Sequence, residues 1–123
     1  MSTFHVTFHA GDLSRSRWEQ FDALVDTGSS FSVAPRPLLE ALGVQPVGKV
    51  PCTLADGSVV YSDIGEARTR IGDTDRVDLV IFGEQGEPSL LGAHTLEAHL
   101  LGVDPHNKRL IPINGLRMTS QLT

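Results

Sequence analysis

A chain of 123 residues has material for one ordinary domain and little for a second. Hydrophobic residues make up 40% of it and charged residues 20%, with 12 Gly and 7 Pro, so a small core with many turns is expected and disorder is excluded as the default state. Against 15 acidic residues stand 10 basic ones, and the formal charge of -5 offers no electrostatic case for binding nucleic acid or a membrane surface. Cys52 is the only cysteine, so an intrachain disulfide is impossible and a reducing compartment is expected. No run approaches the roughly 18 apolar residues of a spanning helix. The opening Met1-Ser2-Thr3-Phe4-His5 has no basic segment leading into an apolar core, which makes an unexported, cytoplasmic protein the expectation.

Along the chain, Phe4, Val6 and Phe8 alternate with Thr and His, which predicts a half-buried strand over residues 3–9. Gly11-Asp12 marks a turn and residues 14–17 a polar loop. Trp18, Phe21, Ala23, Leu24 and Val25 predict a second strand that runs directly into Asp26-Thr27-Gly28-Ser29-Ser30. A short strand over residues 31–34 precedes a short helix at Leu38-Leu39-Glu40-Ala41-Leu42, with Pro37 in its first turn and Gly43 at its end. Residues 44–53 are β-compatible, but Pro46 and Pro51 disfavour a central position in a sheet. Ala55-Asp56-Gly57-Ser58 is a hairpin signal, and its second arm extends from Val59 past Ile64 toward Ile71.

Gly72-Asp73-Thr74-Asp75 reads as a turn, residues 77–82 as a largely buried strand and residues 83–88 as a polar loop. Ala93, Leu96 and Leu100 have the i, i+3, i+7 spacing of a second short helix packed by one face. Two short strands around a polar turn fill residues 101–113, and a tail without periodicity runs from 114 to 123. About seven strands and two helices, without β-α-β alternation, favour a mainly β domain over residues 1–113. An α+β domain with one helix covering a sheet is the alternative.

One segment has a chemical reading. An apolar strand that ends in Asp26 places a carboxylate on a buried scaffold, with Thr27, Ser29 and Ser30 hydroxyls beside it and a turn at Gly28. Such donors stabilise the charged form and fix its rotamer, as an acid that orients water requires. The plain alternative is an ordinary turn, because Asp, Thr, Gly and Ser are all turn residues. Asp63, Asp73, Asp75, Asp78 and Asp104 fall mostly at turns or element ends, where solvation and capping account for them. His94, Glu97 and His99 do not reproduce the His-Glu-x-x-His spacing, so no metal site is expected. Cys52 has no nucleophilic partner in its neighbourhood and reads as strand packing.

Leu24-Val25-Asp26-Thr27-Gly28-Ser29-Ser30 resembles the active-site motif of aspartic proteases, above all the single-lobed, retropepsin-like members. The Asp56-Gly57 hairpin stands where that family carries its flap, which puts Ala55, Asp56 and Gly57 near a flap tip. Val80-Ile81-Phe82, followed by Leu90-Leu91-Gly92 and a short helix, resembles the family's late hydrophobic-hydrophobic-Gly element. The resemblance extends over residues 3–113 and implies a small curled β-barrel with a flap hairpin and two short helices. It further implies an aspartic endopeptidase that acts on peptides or proteins, without metal or organic cofactor.

A single Asp-Thr-Gly in the chain implies a homodimer in which Asp26 of each subunit supplies half of a catalytic pair sharing a proton. In the family's manner, Thr27 would tie the two loops together, Gly28 would admit close approach of substrate, and Ser29 would help fix the carboxylate. The tail after residue 113 is either free or part of the dimer. Departures from the retroviral pattern are Ser29-Ser30 in place of Ala-Asp, a flap tip without a glycine-rich run, and Ala93-His94 in place of Arg-Asn or Arg-Asp. The competing reading of the same fold is a catalytically inactive peptide-binding or dimerisation domain.

Overall fold

The computed structural model describes residues 3–117. The alternating opening becomes strand β1 (His5–Gly11), and β2 (Trp18–Val25) pairs with it antiparallel in a register that sets Phe8 opposite Phe21. These two rings meet edge to face at 5.1 Å, and Phe8 is wholly buried. β3 (Ser32–Pro35) leads into α1 (Arg36–Ala41), whose first turn takes Pro37 where a missing N–H costs nothing. β4 (Pro46–Thr53) and β5 (Val59–Ile71) form the expected hairpin, and β6 (Thr74–Gly83) returns along β5. A two-residue strand β7 (Leu90–Leu91), α2 (Ala93–Ala98), β8 (Leu101–Asp104) and β9 (Arg109–Pro112) complete the chain order.

Seven strands form one sheet in the order β1-β2-β7-β3-β6-β5-β4, and β5 also pairs back onto β1. That second pairing curls the sheet around its apolar interior. β8 and β9 make a separate two-stranded ribbon. The fold is therefore mainly β with two short helices. β4 lies at the open end of the strand order, the position that its two prolines permit.

The strands number nine among the described residues rather than about seven, in part because β7 is too short to show a period. The second helix is also shorter than its spacing suggests. Leu100 lies beyond α2 at φ 54 and is 42% exposed, so it is not the third member of a buried stripe. His99 takes the interior place at the end of that helix instead. Of the tail, residues 118–123 lie outside the described residues. Neither helix is long and apolar enough to cross a membrane.

Two parts of the core lie beneath the Asp26 loop and the hairpin. Val25 and Leu91 are paired across parallel β2 and β7, and both belong to a buried cluster with Phe8, Ala23 and Leu96. A second cluster, Val33, Ile64 and Ile81, carries partly buried Phe31, Val50, Cys52 and Leu90 beneath the hairpin. Removing the largest member of the first cluster leaves a void that the paired strands cannot close. Phe8→Ala is expected to lower the unfolding free energy by about 3–5 kcal/mol. Urea titration followed by the fluorescence of Trp18 checks this, and a loss below about 1 kcal/mol would show that the cluster is not a close-packed floor.

Candidate active site

Asp26 is the first residue beyond β2, and its N–H donates to the Leu91 carbonyl at 3.0 Å, one step past the β2–β7 pairing. The carboxylate thus emerges from the Val25–Leu91 floor in a set direction. The Gly28 N–H donates to Oδ1 at 2.9 Å and the Ser29 hydroxyl to Oδ2 at 3.3 Å. Each oxygen has one donor from its own loop, which leaves acceptor positions for a water. A Cβ at residue 28 would stand 3.2 Å from Oδ1, tight enough that the carboxylate would have to give by a few tenths of an ångström. Thr27 is exposed beside it, while Asp26 itself is partly buried.

The loop is held from behind by the chain entering α2. The Ala93 and His94 N–H groups donate to the carbonyls of Ser29 and Ser30 at 2.8 and 2.9 Å. Gly92 lies between them in such close contact that a Cβ there would stand 2.9 Å from the Ser29 carbonyl oxygen and nearer still to that of Phe31. Its N–H donates to the Ser32 hydroxyl at 3.0 Å. Ser32 Oγ is 2.6 Å from Thr95 Oγ1, and the Thr95 hydroxyl in turn donates to Asp78 Oδ2. Because the Thr95 proton is committed to the carboxylate, the Ser32 proton points to Thr95, and the chain of donors has one direction from Gly92 to Asp78.

Asp78 is a buried carboxylate whose side chain has no solvent exposure. Its Oδ1 accepts the Leu79 N–H at 2.8 Å and sits 2.9 Å from His94 Nδ1, and the Thr69 hydroxyl lies 3.5 Å from Oδ2. Thr69 Oγ1 also meets His99 Nε2 at 2.9 Å. Burial pushes the His99 pKa below its ordinary 6.5 against the opposing pull of Asp78. Asp78 therefore does not sit at a turn or element end, as its place in the sequence suggests. It lies inside β6, in phase with buried Val80 and Phe82, and that parity is the available signal. Ser32 and Thr95 have no comparable signal, because each becomes significant only through contacts made far along the chain.

The β4–β5 hairpin ends in a turn in which the Leu54 N–H donates to the Ser58 carbonyl at 2.8 Å. Asp56 Oδ1 accepts the Ser58 hydroxyl and N–H, and the hydroxyl is the larger cause of a lowered carboxyl pKa. Ala55, Asp56 and Gly57 are exposed at this tip. Between the hairpin arm and the Asp26 loop lies a cleft of about 470 Å³, lined in part by Gly28, Ser29, Phe31, Cys52, Val60 and Leu90. The arm, not the tip, meets the cleft. Cys52 accordingly has a wall of the cleft on one side and apolar packing on the other. On the far side of the loop, Thr27 borders a hollow of about 630 Å³ with Leu96, Leu100, Val103, Ile113 and Leu116.

A supported aspartate at the end of a buried strand, backed by a glycine that admits the loop's own backbone and faced by a hairpin, defines the single-lobed aspartic protease class. The aspartyl protease family profile matches residues 15–95, well over half of the chain, and the chain belongs to that family. It is an aspartic-type endopeptidase with a retropepsin-like fold. The crystal structure of a retropepsin-like aspartic protease from Rickettsia conorii is similar to it, with a TM-score of 0.50 and 16% identity over 84% of this chain and 88% of that one. At that identity the likeness is one of fold. No curated protein is matched by the sequence.

Two substitutions separate the close approach from the polar chain behind it. Gly92→Ala is expected to force apart the Ser29–Phe31 backbone and lower stability by about 1–3 kcal/mol. Asp78→Asn keeps the volume but turns an NH2 toward donors, at a cost of about 1–3 kcal/mol. Thermal unfolding measures both, and unchanged midpoints would mean that neither contact restrains the loop.

Proposed function

We propose that two copies of this chain pair about a two-fold axis and cleave peptide bonds with a water held between their Asp26 carboxylates. The observation that carries this reading is the Asp26 carboxylate itself, which has one donor on each oxygen in a chain with a single Asp-Thr-Gly. One lobe supplies one acid, and the reaction needs two. The exposed Thr27 and the apolar hollow beside it support the pairing, because Leu116 is 82% exposed there and Ile113 46%. A second copy laid on this face covers apolar surface and brings a second Asp26 toward the first.

Two carboxylates at close range hold one proton between them. The ionised member takes a proton from the water as its oxygen bonds to the scissile carbonyl carbon. The protonated member hydrogen-bonds to the carbonyl oxygen and stabilises the charge that develops there. Collapse of the tetrahedral adduct breaks the C–N bond as a proton passes to the leaving nitrogen, so no covalent enzyme intermediate forms. Gly28 and Ser29 hold each carboxylate in its orientation throughout, Thr27 links the two loops, and Leu90, Leu91 and Gly92 form the support behind them. The hairpin with Ala55, Asp56 and Gly57 at its tip closes over an extended peptide and excludes bulk water.

Asp26→Asn removes the acid from both subunits while its amide oxygen still accepts one of the loop donors. Peptide cleavage is expected to fall at least about 10³-fold with the fold intact. The wild-type rate is expected to show a bell-shaped pH profile, and specific activity to fall on dilution as the pair dissociates. A fully active monomer, or activity that survives Asp26→Asn, would sink the proposal.

A further inference from the structure

Among the described residues that line the cleft beside Asp26, Glu87 is the only charged side chain. The rest of the wall is apolar, hydroxylic or glycine, apart from Cys52. The Glu87 carboxylate is held in place before any substrate arrives. Its Oε1 accepts the Glu84 N–H at 3.0 Å, and its own N–H donates to the Glu84 carbonyl at 3.0 Å, closing a tight turn. The cations near that turn are committed elsewhere: Arg36 is shared by Glu40, Asp63 and Glu84, and Lys49 pairs with Asp63. Among the described residues Glu87 has no ion pair, and its second oxygen has no donor.

An unpaired, pre-oriented carboxylate at the rim of an otherwise uncharged groove is complementary to a cation brought by the substrate. We propose that Glu87 is a specificity-determining residue that selects peptides with a lysine or arginine at a set distance from the scissile bond, an inference that rests on the peptidase reading. The aliphatic stem of such a side chain lies along the apolar wall made by Phe31, Val60 and Leu90, while its head meets the carboxylate. The two-fold axis places one Glu87 in each half of the groove, so the preference falls on both sides of the cleaved bond. The net charge of -5 draws basic peptides in the same sense. Because Glu87 is exposed, the preference is moderate and weakens with salt.

The test is cleavage of a randomised peptide mixture by the full chain, with products aligned by mass spectrometry. A second measurement uses one cleaved peptide and its norleucine-for-lysine analogue. Wild type is expected to enrich Lys and Arg at a fixed offset and to favour the lysine peptide by about twofold to fivefold in kcat/KM. Glu87→Gln, which retains an oxygen for the Glu84 N–H, is expected to bring that ratio close to one, and Glu87→Lys to shift enrichment toward Asp and Glu. Cleavage without basic enrichment, or enrichment that survives Glu87→Gln, overturns this assignment and leaves the peptidase reading standing. Failure of the wild-type chain to cleave any peptide removes that reading, and this one with it.

Discussion

Gly92 stands where a side chain would overlap the backbone carbonyls of the loop that comes after Asp26. The loop and the start of α2 are packed backbone against backbone, with amides of Ala93 and His94 donating to Ser29 and Ser30. Much else in the molecule is arranged around that approach. β7, only two residues long, pairs with β2 and β3 and leads into α2, and the Leu91 carbonyl takes the Asp26 N–H on the way. The stack fixes where the Asp26 backbone leaves the sheet, and the Gly28 and Ser29 donors of its own loop then orient the carboxylate.

The support beneath the site is of two kinds. Under β2 and β7 it is apolar, with Phe8, Val25, Leu91 and Leu96 packed together. Behind the loop it is polar, and it ends on a carboxylate without solvent exposure. A buried charge is costly unless donors surround it, and Asp78 draws them from β5, β6 and α2. Such a network ties three elements to one point, since moving any of them strips a donor from a buried anion. The hairpin is built differently. Val59, Val60 and Tyr61 at the start of its second arm are exposed, so few buried contacts hold the end near the tip. The Asp26 loop is thus held from behind by buried contacts, while the tip of the hairpin that faces it is held by few.

Much of this is legible in the sequence. The alternation of Phe4, Val6 and Phe8, the Asp56-Gly57 turn and the Pro37 to Gly43 helix can be read there because each depends on neighbours within a few residues. Asp26 stands out because an apolar strand runs straight into a run of small polar residues. Leu100 misleads for the same local reason: its spacing is helical, but the chain has left the helix before reaching it. Asp78 escapes notice because carboxylates are mostly exposed, and only its strand parity with Val80 and Phe82 hints at burial; the donors that hold it come from distant elements.

The sequence by itself determined the strand periods, the hairpin, the glycine-bounded turns and the acid at the end of β2. These arise from backbone geometry and side-chain size over short distances. Only the tertiary structure decided that Ser32 and Thr95 form a relay 63 residues apart in sequence, that His99 is buried, and that Glu87 meets the cleft beside Ser29. The reason is that a polar side chain leaves water only where interior donors replace its hydration; the fold supplies those donors, and with them the role.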